Sequence, residues 1–151
     1  MKKQPLLKQK ILRLFFLSSL LISLLSSCNS VKELNVKDGW SRPALSGNNT
    51  AAYFTINNPL NENDRLLSAS STIAEFTEVH LSVMQDGKMM MQQQDFVEIP
   101  AQSSVEFKPK DYHIMFINLL NDLNIGDEYQ LTLQFEKAGT ITITVPVKEQ
   151  D

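Results

Sequence analysis

The sequence predicts an all-β protein, an antiparallel sandwich or barrel, placed after a short N-terminal leader. Beyond residue 30, no segment shows a 3.6-residue hydrophobic period over ten or more positions, so helices are not expected. Instead, about eight or nine short segments rich in β-branched and aromatic residues recur at a spacing of roughly 8–12 residues, which is typical of sandwiches and barrels. The length suits one domain, which we place at residues 37–151.

The first half of the domain reads as four strands separated by proline and asparagine. VKDGWSRPA is interrupted by Pro43, and TAAYFTINN ends at Pro59. The polar loop NPLNENDR precedes the strand LLSASST. In AEFTEVHLSVM the apolar residues alternate, which predicts a strand with one buried face. We interpret Glu75 and Glu78 of this segment as solvated strand residues.

The second half begins with a hairpin signal, Asp86-Gly87. The next segment, KMMMQQQDFVEIP, is predicted to stay extended as far as Pro100, and SSVEFKP is a short strand. HIMFINL has the nearly continuous apolar character of a buried strand. GDEYQLTLQFEKAGTITITVPV alternates on both arms and predicts a closing hairpin with its bend at residues 137–139.

Residues 1–27 have the features of a secretory signal peptide. Five basic residues lie within the first 13 positions, and an apolar, serine-bearing run follows from Leu14 to Leu25. That run is shorter than the ~20 residues that a membrane-spanning helix needs. We therefore expect the leader to direct the protein out of the cytoplasm.

The leader ends in LSSC, which resembles the lipobox of bacterial lipoproteins: an aliphatic residue, two small residues and a cysteine. The resemblance implies that Cys28, the one cysteine of the chain, is lipidated and becomes the N-terminus of a tether at residues 28–36. Asn29 follows it, which resembles an outer-membrane signal in many Gram-negative species. We predict a protein anchored on the periplasmic side of a bacterial membrane, with the outer membrane favoured. The alternative is an ordinary signal peptide with a chance cysteine.

Charge and composition exclude several classes of function. After residue 27 the chain has nine Lys and Arg and 17 Asp and Glu. So acidic a domain does not suit binding of nucleic acid, which requires basic patches. The sequence has no Ser-His-Asp signature, no glycine-rich phosphate loop and no pair of acidic residues within a recognisable catalytic motif. With its cysteine assigned to the anchor, the domain has no thiol for redox or nucleophilic work. We expect a monomeric binding protein rather than an enzyme.

The side chains that bind soft metals are concentrated in one stretch of the domain. Both histidines and five of the six methionines lie between positions 80 and 115. They are His80, Met84, Met89, Met90, Met91, His113 and Met115. Because leucine, isoleucine and valine fill the other strands, core packing alone does not predict this clustering.

Strand periodicity predicts which of these side chains share a face. Residues i and i+2 of a strand point the same way, so His113 and Met115 lie on one face of their strand. By the same rule Met89 and Met91 share a face, whereas Met90 packs on the other. The segment therefore brings imidazole and thioether groups together without a helix.

Imidazole and thioether in combination favour Cu(I). Thioether sulfur is neutral and soft, so it binds magnesium or calcium poorly, whereas its softness selects Cu(I) and imidazole also suits copper. Neutral ligands leave the charge of the monovalent ion uncancelled, which moderates affinity and eases release. Zinc is less favoured because it rarely accepts methionine. The lack of an available cysteine excludes a blue-copper centre.

The spacing of four of these residues resembles the motif of the periplasmic copper chaperones called PCuAC. That motif is a histidine, ten residues, a methionine, 21 residues, and then His-x-Met. The residues His80, Met91, His113 and Met115 match every interval. The segments DGWSRPA, AAYFTINNP and LTLQFEKAGTITITVPV are also similar to the family's pattern.

The resemblance implies a cupredoxin-like antiparallel β-sandwich with Greek-key topology and without the usual copper cysteine. It also implies that the four motif residues are Cu(I) ligands, to which we add Met89 and Met84 as auxiliary candidates. The implied role is delivery of copper toward cytochrome c oxidase assembly, either to a respiratory oxidase subunit or to another copper chaperone. Two alternatives stay open: a copper-buffering or resistance lipoprotein, and a structural β-sandwich lipoprotein whose methionines only pack.

Overall fold

The computed structural model describes residues 32–149, and within them the chain forms ten β-strands and no helix. The strands are β1 (Asn35–Ser41), β2 (Thr50–Asn58), β3 (Asp64–Ser70), β4 (Ala74–Gln85), β5 (Lys88–Gln93), β6 (Val97–Ile99), β7 (Ser103–Phe107), β8 (Tyr112–Leu119), β9 (Glu128–Phe135) and β10 (Thr140–Pro146). The all-β prediction is confirmed, with ten strands in place of eight or nine. Between residues 32 and 149 no helix is long and apolar enough to cross a bilayer. The predicted signal peptide and the lipidation at Cys28 lie outside the described residues.

The strands form two sheets that pack face to face. The larger sheet has the order β1-β2-β8-β4-β5, and β7 also pairs with β2; the smaller has the order β10-β9-β3-β6. The pairings between strands are antiparallel. The chain crosses repeatedly between the sheets, which inserts β8 between β2 and β4. Apolar side chains of both sheets meet in the core, where Phe54 and Phe116 of the larger sheet join Leu133 and Phe135 of the smaller.

The segment predicted as one extended strand up to Pro100 is divided between the two sheets. Residues 88–93 pair with β4 as β5, whereas Val97–Ile99 pair with β3 as β6. The last hydrogen bond to β4 is donated by the backbone N–H of Gln94 to the carbonyl oxygen of Val79 at 2.8 Å. The side chains of Val97 and Ile99 are buried in the core, so their burial directs the chain into the second sheet.

Both predicted hairpin bends are confirmed. Gln85 pairs with Lys88, which leaves Asp86 and Gly87 as a two-residue turn with φ angles of 51° and 74°. Two positive φ angles define a type I′ turn, the form whose twist matches that of the flanking strands. At the closing hairpin β10 pairs with β9 along its whole length, and Gly139 next to the bend has a φ of 76°.

A β-bulge in β1 determines which side chain of that strand faces outward near Tyr53. Lys37 pairs with Thr55 and Trp40 pairs with Tyr53, so β1 holds one extra residue between these pairs. Asp38, inside the bulge, has a φ of 58°. As a result Trp40 lies opposite Tyr53, with the two ring centroids 4.6 Å apart. β1 also begins at Asn35, two residues before the predicted start of the domain.

Candidate metal centre

The two histidines lie opposite each other at the centre of the larger sheet. β4 and β8 are adjacent and antiparallel, and their register pairs His80 with His113. The ring centroids are 5.8 Å apart, and the rings are tilted by 51°. Their neighbours Val79 and Ile114 belong to the core, so alternation along each strand puts both imidazoles on the outer face of the sheet. Both side chains are nevertheless buried, with exposures of 9% and 3%.

The two motif methionines project from the same outer face. Met115 follows His113 by two residues, so both side chains leave β8 on the same side. Met91 lies on β5 opposite Ser82, which makes it a diagonal neighbour of His80. Met115 is partly buried and Met91 is 55% exposed. The structure thus places all four motif residues on one face of three adjacent strands.

Hydrogen bonding fixes which nitrogen of His113 is available to a ligand. Its Nδ1 lies 2.9 Å from the backbone carbonyl oxygen of Asp111, which accepts only, so Nδ1 carries the proton. The buried Nε2 has no hydrogen-bond partner among residues 32–149. Burial lowers the pKa of His113 below its ordinary value of 6.5, and the hydrogen bond to Asp111 opposes that shift only in part. Neutral His113 therefore presents a bare acceptor nitrogen at neutral pH.

His80 is held in the complementary way by a carboxylate. Its Nε2 lies 2.7 Å from Oε2 of Glu78, so Nε2 donates and Nδ1 is the free nitrogen. That buried Nδ1 also has no partner within the described part of the chain. A histidine with one nitrogen hydrogen-bonded and the other bare matches the usual arrangement of metal-binding histidines, whose second nitrogen donates to a carboxylate or carbonyl.

The interpretation of Glu78 as a solvated strand residue is wrong. Its side chain is only 26% exposed and contacts His80. The physical reason is that residues 78 and 80 share a face, so the carboxylate reaches the neighbouring ring along the strand. A Glu-x-His pattern in a predicted strand was the available signal. Glu75 agrees with its interpretation, because it is exposed and accepts a hydrogen bond from Asn118 at 2.6 Å.

A cleft of about 290 Å³ opens beside this pair on the outer face. It is lined by Arg42, Pro43, Asn49, Thr50, Ala51, Tyr53, Met91, His113 and Met115. Ala51 of β2 pairs with Met115, and its small side chain leaves room above the thioether. The contribution of Arg42, Asn49 and Ala51 could not be predicted from local patterns, because it depends on β2 lying next to β8.

Arg42 and Tyr53 line one side of the cleft, and Trp40 packs against Tyr53. The guanidinium carbon of Arg42 lies 5.7 Å from the ring centroid of Tyr53, and Nζ of Lys148 lies 5.9 Å from that of Trp40. Burial raises the pKa of the Tyr53 hydroxyl, and the nearby Arg42 charge partly opposes this. Arg42 therefore adds positive charge to the rim of the cleft.

The auxiliary candidates lie on the correct face but farther along the hairpin. Met84 pairs with Met89, and neither is among the residues that line the cleft. Met90 projects from the opposite face, as predicted, but it is 48% exposed rather than packed. Between residues 32 and 149, no group of three or more His, Cys, Asp and Glu side chains is arranged to hold a metal ion.

Comparison with protein families identifies the chain's relatives. A family model described as "Putative lipoprotein LpqE-like" matches residues 34–147. The chain belongs to the LpqE-like family. It is 34% identical over 113 residues to protein RP573 of Rickettsia prowazekii (strain Madrid E), a match that covers 72% of this chain and 62% of that protein. It is 31% identical over 117 residues to "Putative lipoprotein Lxx21020" of Leifsonia xyli subsp. xyli (strain CTCB07), covering 77% and 70%.

Solved structures show that this LpqE-like protein has the fold of PCuAC domains. The "Copper-bound PCuAC domain from PmoF2" superposes with a TM-score of 0.66 at 24% identity, covering 80% of this chain and 97% of that domain. "CuI-DR1885 from Deinococcus Radiodurans" superposes with a TM-score of 0.63 at 21% identity, covering 83% and 86%. The predicted resemblance to PCuAC proteins and the cupredoxin-like sandwich are thereby confirmed at the level of the fold.

Proposed function

We propose that this LpqE-like protein is an extracytoplasmic metallochaperone that binds one Cu(I) ion through His80, Met91, His113 and Met115. The observation that carries the proposal is the pair of buried, unpartnered nitrogens, Nδ1 of His80 and Nε2 of His113. Leaving a buried polar atom unsatisfied costs roughly 1–3 kcal/mol, so two such atoms on neighbouring rings are unfavourable unless a ligand binds there.

The chemistry of the donor set supports Cu(I) as that ligand. Two neutral imidazoles and two thioethers suit a soft monovalent ion, whereas hard divalent cations require oxygen ligands. No proton has to leave Nε2 of His113 at neutral pH, because burial holds the pKa of that ring below its ordinary value of 6.5. Domains of the same fold are described as copper-bound and as a CuI form, which supports the same cargo.

The unequal exposure of the four side chains supports transfer rather than storage. His80 and His113 are buried, while Met91 is 55% exposed at the edge of the larger sheet. An exposed thioether can be replaced by a ligand of an incoming protein while the buried histidines still hold the ion. The positively charged rim at Arg42 also disfavours permanent retention of a cation.

We further propose the client and the location. The acceptor is a copper-receiving subunit of cytochrome c oxidase, or another copper chaperone that supplies it. A lipid on Cys28 anchors the protein at the periplasmic side of a bacterial membrane, and Asn29 favours the outer one; the family description and the name of the Leifsonia relative both include the word lipoprotein. Mass spectrometry of the N-terminal peptide tests the anchor.

Titration of the purified chain with Cu(I) against a chromogenic Cu(I) chelator tests the site. The wild-type chain is expected to withdraw one equivalent of Cu(I) from the chelator, and the His113→Ala/Met115→Ala double variant is expected to withdraw none. The Met90→Leu variant is the matched control, since Met90 faces away from the site. Circular dichroism establishes that the double variant is folded. Equal binding by wild type and double variant would refute the site.

Two outcomes favour the alternatives. If the wild-type chain does not compete for Cu(I), the protein is a structural sandwich whose methionines have no metal role. If it binds Cu(I) but does not load an apo oxidase subunit on mixing, it is a copper-buffering lipoprotein. Rapid loading of the oxidase subunit, followed through the visible absorption of its copper centre, supports the chaperone function.

A further inference from the structure

The β4–β5 hairpin extends beyond the rest of the larger sheet as a free two-stranded arm. The pairing of β4 with β8 ends at Leu81 opposite Tyr112, whereas its pairing with β5 continues to Gln85 opposite Lys88. We call residues 83–90 the ribbon. Its strands pair only with each other, so the ribbon is not needed to complete the core.

The ribbon exposes methionine in place of the usual polar residues. Met84 is 66% exposed, Met89 49% and Met90 48%. The β9–β10 hairpin provides the contrast, because its outward positions on β10 are Thr140, Thr142 and Thr144. Methionine belongs mostly in cores, and exposing it gains no packing energy. What exposure does provide is an accessible, soft sulfur atom.

The register arranges the side chains of Met84, Met89 and Met91 in a row that leads to the metal centre. Met84 lies directly opposite Met89, a position in which Cβ atoms are ~4.5–5.5 Å apart. Met91 follows Met89 by two residues on the same face, ~7 Å along the strand. The long, flexible side chains can close these gaps. Met90 stands on the opposite face, opposite Val83, and is outside the row.

We propose that Met84, Met89 and Met91 form a second, weaker site for a soft monovalent ion, through which Cu(I) moves between a donor or acceptor and the inner site. The inference rests on the function proposed above for the inner site. Three neutral thioethers select Cu(I) or Ag(I) over calcium, magnesium and zinc. Without imidazole or charge, and exposed to water, they bind more weakly than the inner site.

Movement along the row is an exchange of ligands without redox chemistry. The copper remains Cu(I), one Cu–S bond forms to the next thioether as the bond to the previous one breaks, and no proton is released. Met91 belongs to both sites, so the ion passes from Met84 and Met89 to the histidines without being free in solution. A row of this kind accelerates loading and unloading equally and leaves the affinity of the inner site unchanged.

Methyl NMR of the full chain in detergent, labelled with ¹³C at the methionine methyl groups, tests the second site with silver nitrate as the probe. Ag(I) has the charge and softness of Cu(I) and does not change oxidation state. Five methyl signals are expected from the five methionines after Cys28, and single Met→Leu variants assign them. The first equivalent should shift Met91 and Met115. The second should shift Met84 and Met89 together, shift Met91 further because it belongs to both sites, and leave Met90 unmoved.

The outcomes separate the two proposals. If the first equivalent does not shift Met115, the inner site and the proposed function fail. If the first equivalent behaves as expected but the second shifts Met90 as much as Met84 and Met89, or shifts none of the three, only the second site is refuted.

Stopped-flow transfer of Cu(I) from a chelator complex tests the route. The Met84→Leu/Met89→Leu variant should load and unload about tenfold more slowly, with an unchanged dissociation constant. Met90→Leu should match the wild type. Wild-type rates in the double variant, or a weakened equilibrium affinity, would overturn the role of the row.

Discussion

The two faces of the larger sheet consist of the same strands but have different roles. On the inner face of β8, Ile114 and Phe116 are completely buried and contact only the core. On the outer face of the same strand, His113 is almost as buried, with 3% exposure, yet it retains a nitrogen without a partner. Burial on the inner face stabilises the fold through apolar area, whereas burial on the outer face leaves hydrogen-bonding capacity unused.

This difference shows that burial alone does not identify a structural residue. The inner face follows the ordinary rule that buried side chains are apolar and well packed. The outer face departs from it at His80 and His113, whose bare nitrogens oppose stability. Binding sites commonly carry such unfavourable groups, because the ligand supplies the missing interaction.

The largest expected effect is a loss of stability caused by a substitution on the inner face. Phe116→Ala should lower the free energy of unfolding by ~3–5 kcal/mol, because it removes a buried ring that packs edge-on against Tyr129. Urea denaturation of the metal-free protein measures the loss. Met115→Leu, one residue earlier on the outer face, conserves volume and should cost less than ~1.5 kcal/mol. Similar losses for the two variants would contradict the contrast between the faces.

A smaller effect, on Cu(I) affinity, is expected from the residue that positions His80 on the outer face. Glu78→Ala removes the acceptor for the His80 Nε2–H and should weaken Cu(I) binding by about 10–100-fold, or ~1.4–2.7 kcal/mol. Glu78→Gln retains an acceptor oxygen and should recover part of the affinity. Nitrogen-15 NMR of the His80 imidazole distinguishes this role from a general loss of stability. Only the Glu78→Ala variant should show a mixture of the two His80 tautomers. An unchanged affinity in Glu78→Ala would mean that the carboxylate does not position the ring.

The smallest effect concerns the metal-free protein in acid. Because burial lowers the pKa of His113 in the folded state below the ordinary 6.5, the unfolded chain binds its proton first. Stability that is complete above pH 6.5 should therefore decline as the pH falls toward the folded pKa. His113→Leu cannot take up that proton, so thermal unfolding between pH 7 and 5 should depend less on pH. Identical pH profiles for variant and wild type would show that His113 titrates alike in both states.

Strand periodicity was sufficient to predict which side chains of the candidate site share a face. The shared face of His113 and Met115 and the shared face of Met89 and Met91 depend on local geometry, which a sequence encodes directly. The all-β class was predictable for the same reason.

The remaining features depend on distant parts of the chain. The order β2-β8-β4 brings Arg42 and Tyr53 to the cleft, and no local pattern specifies that order. The division between β5 and β6 is likewise decided by where Val97 finds an apolar environment. The role of Glu78 depends on a side-chain orientation that strand parity permits but does not require.

The extra residue in β1 makes the cleft sensitive to chain length as well as to side-chain chemistry. Deleting one residue between Lys37 and Trp40 would restore regular alternation and change which residue stands opposite Tyr53. The indole of Trp40 would then no longer pack against Tyr53, which lines the cleft, although no residue of the motif had been altered. Relatives with a perfect His-Met motif but a one-residue gap at this point would therefore present a different aromatic surface beside the same four residues.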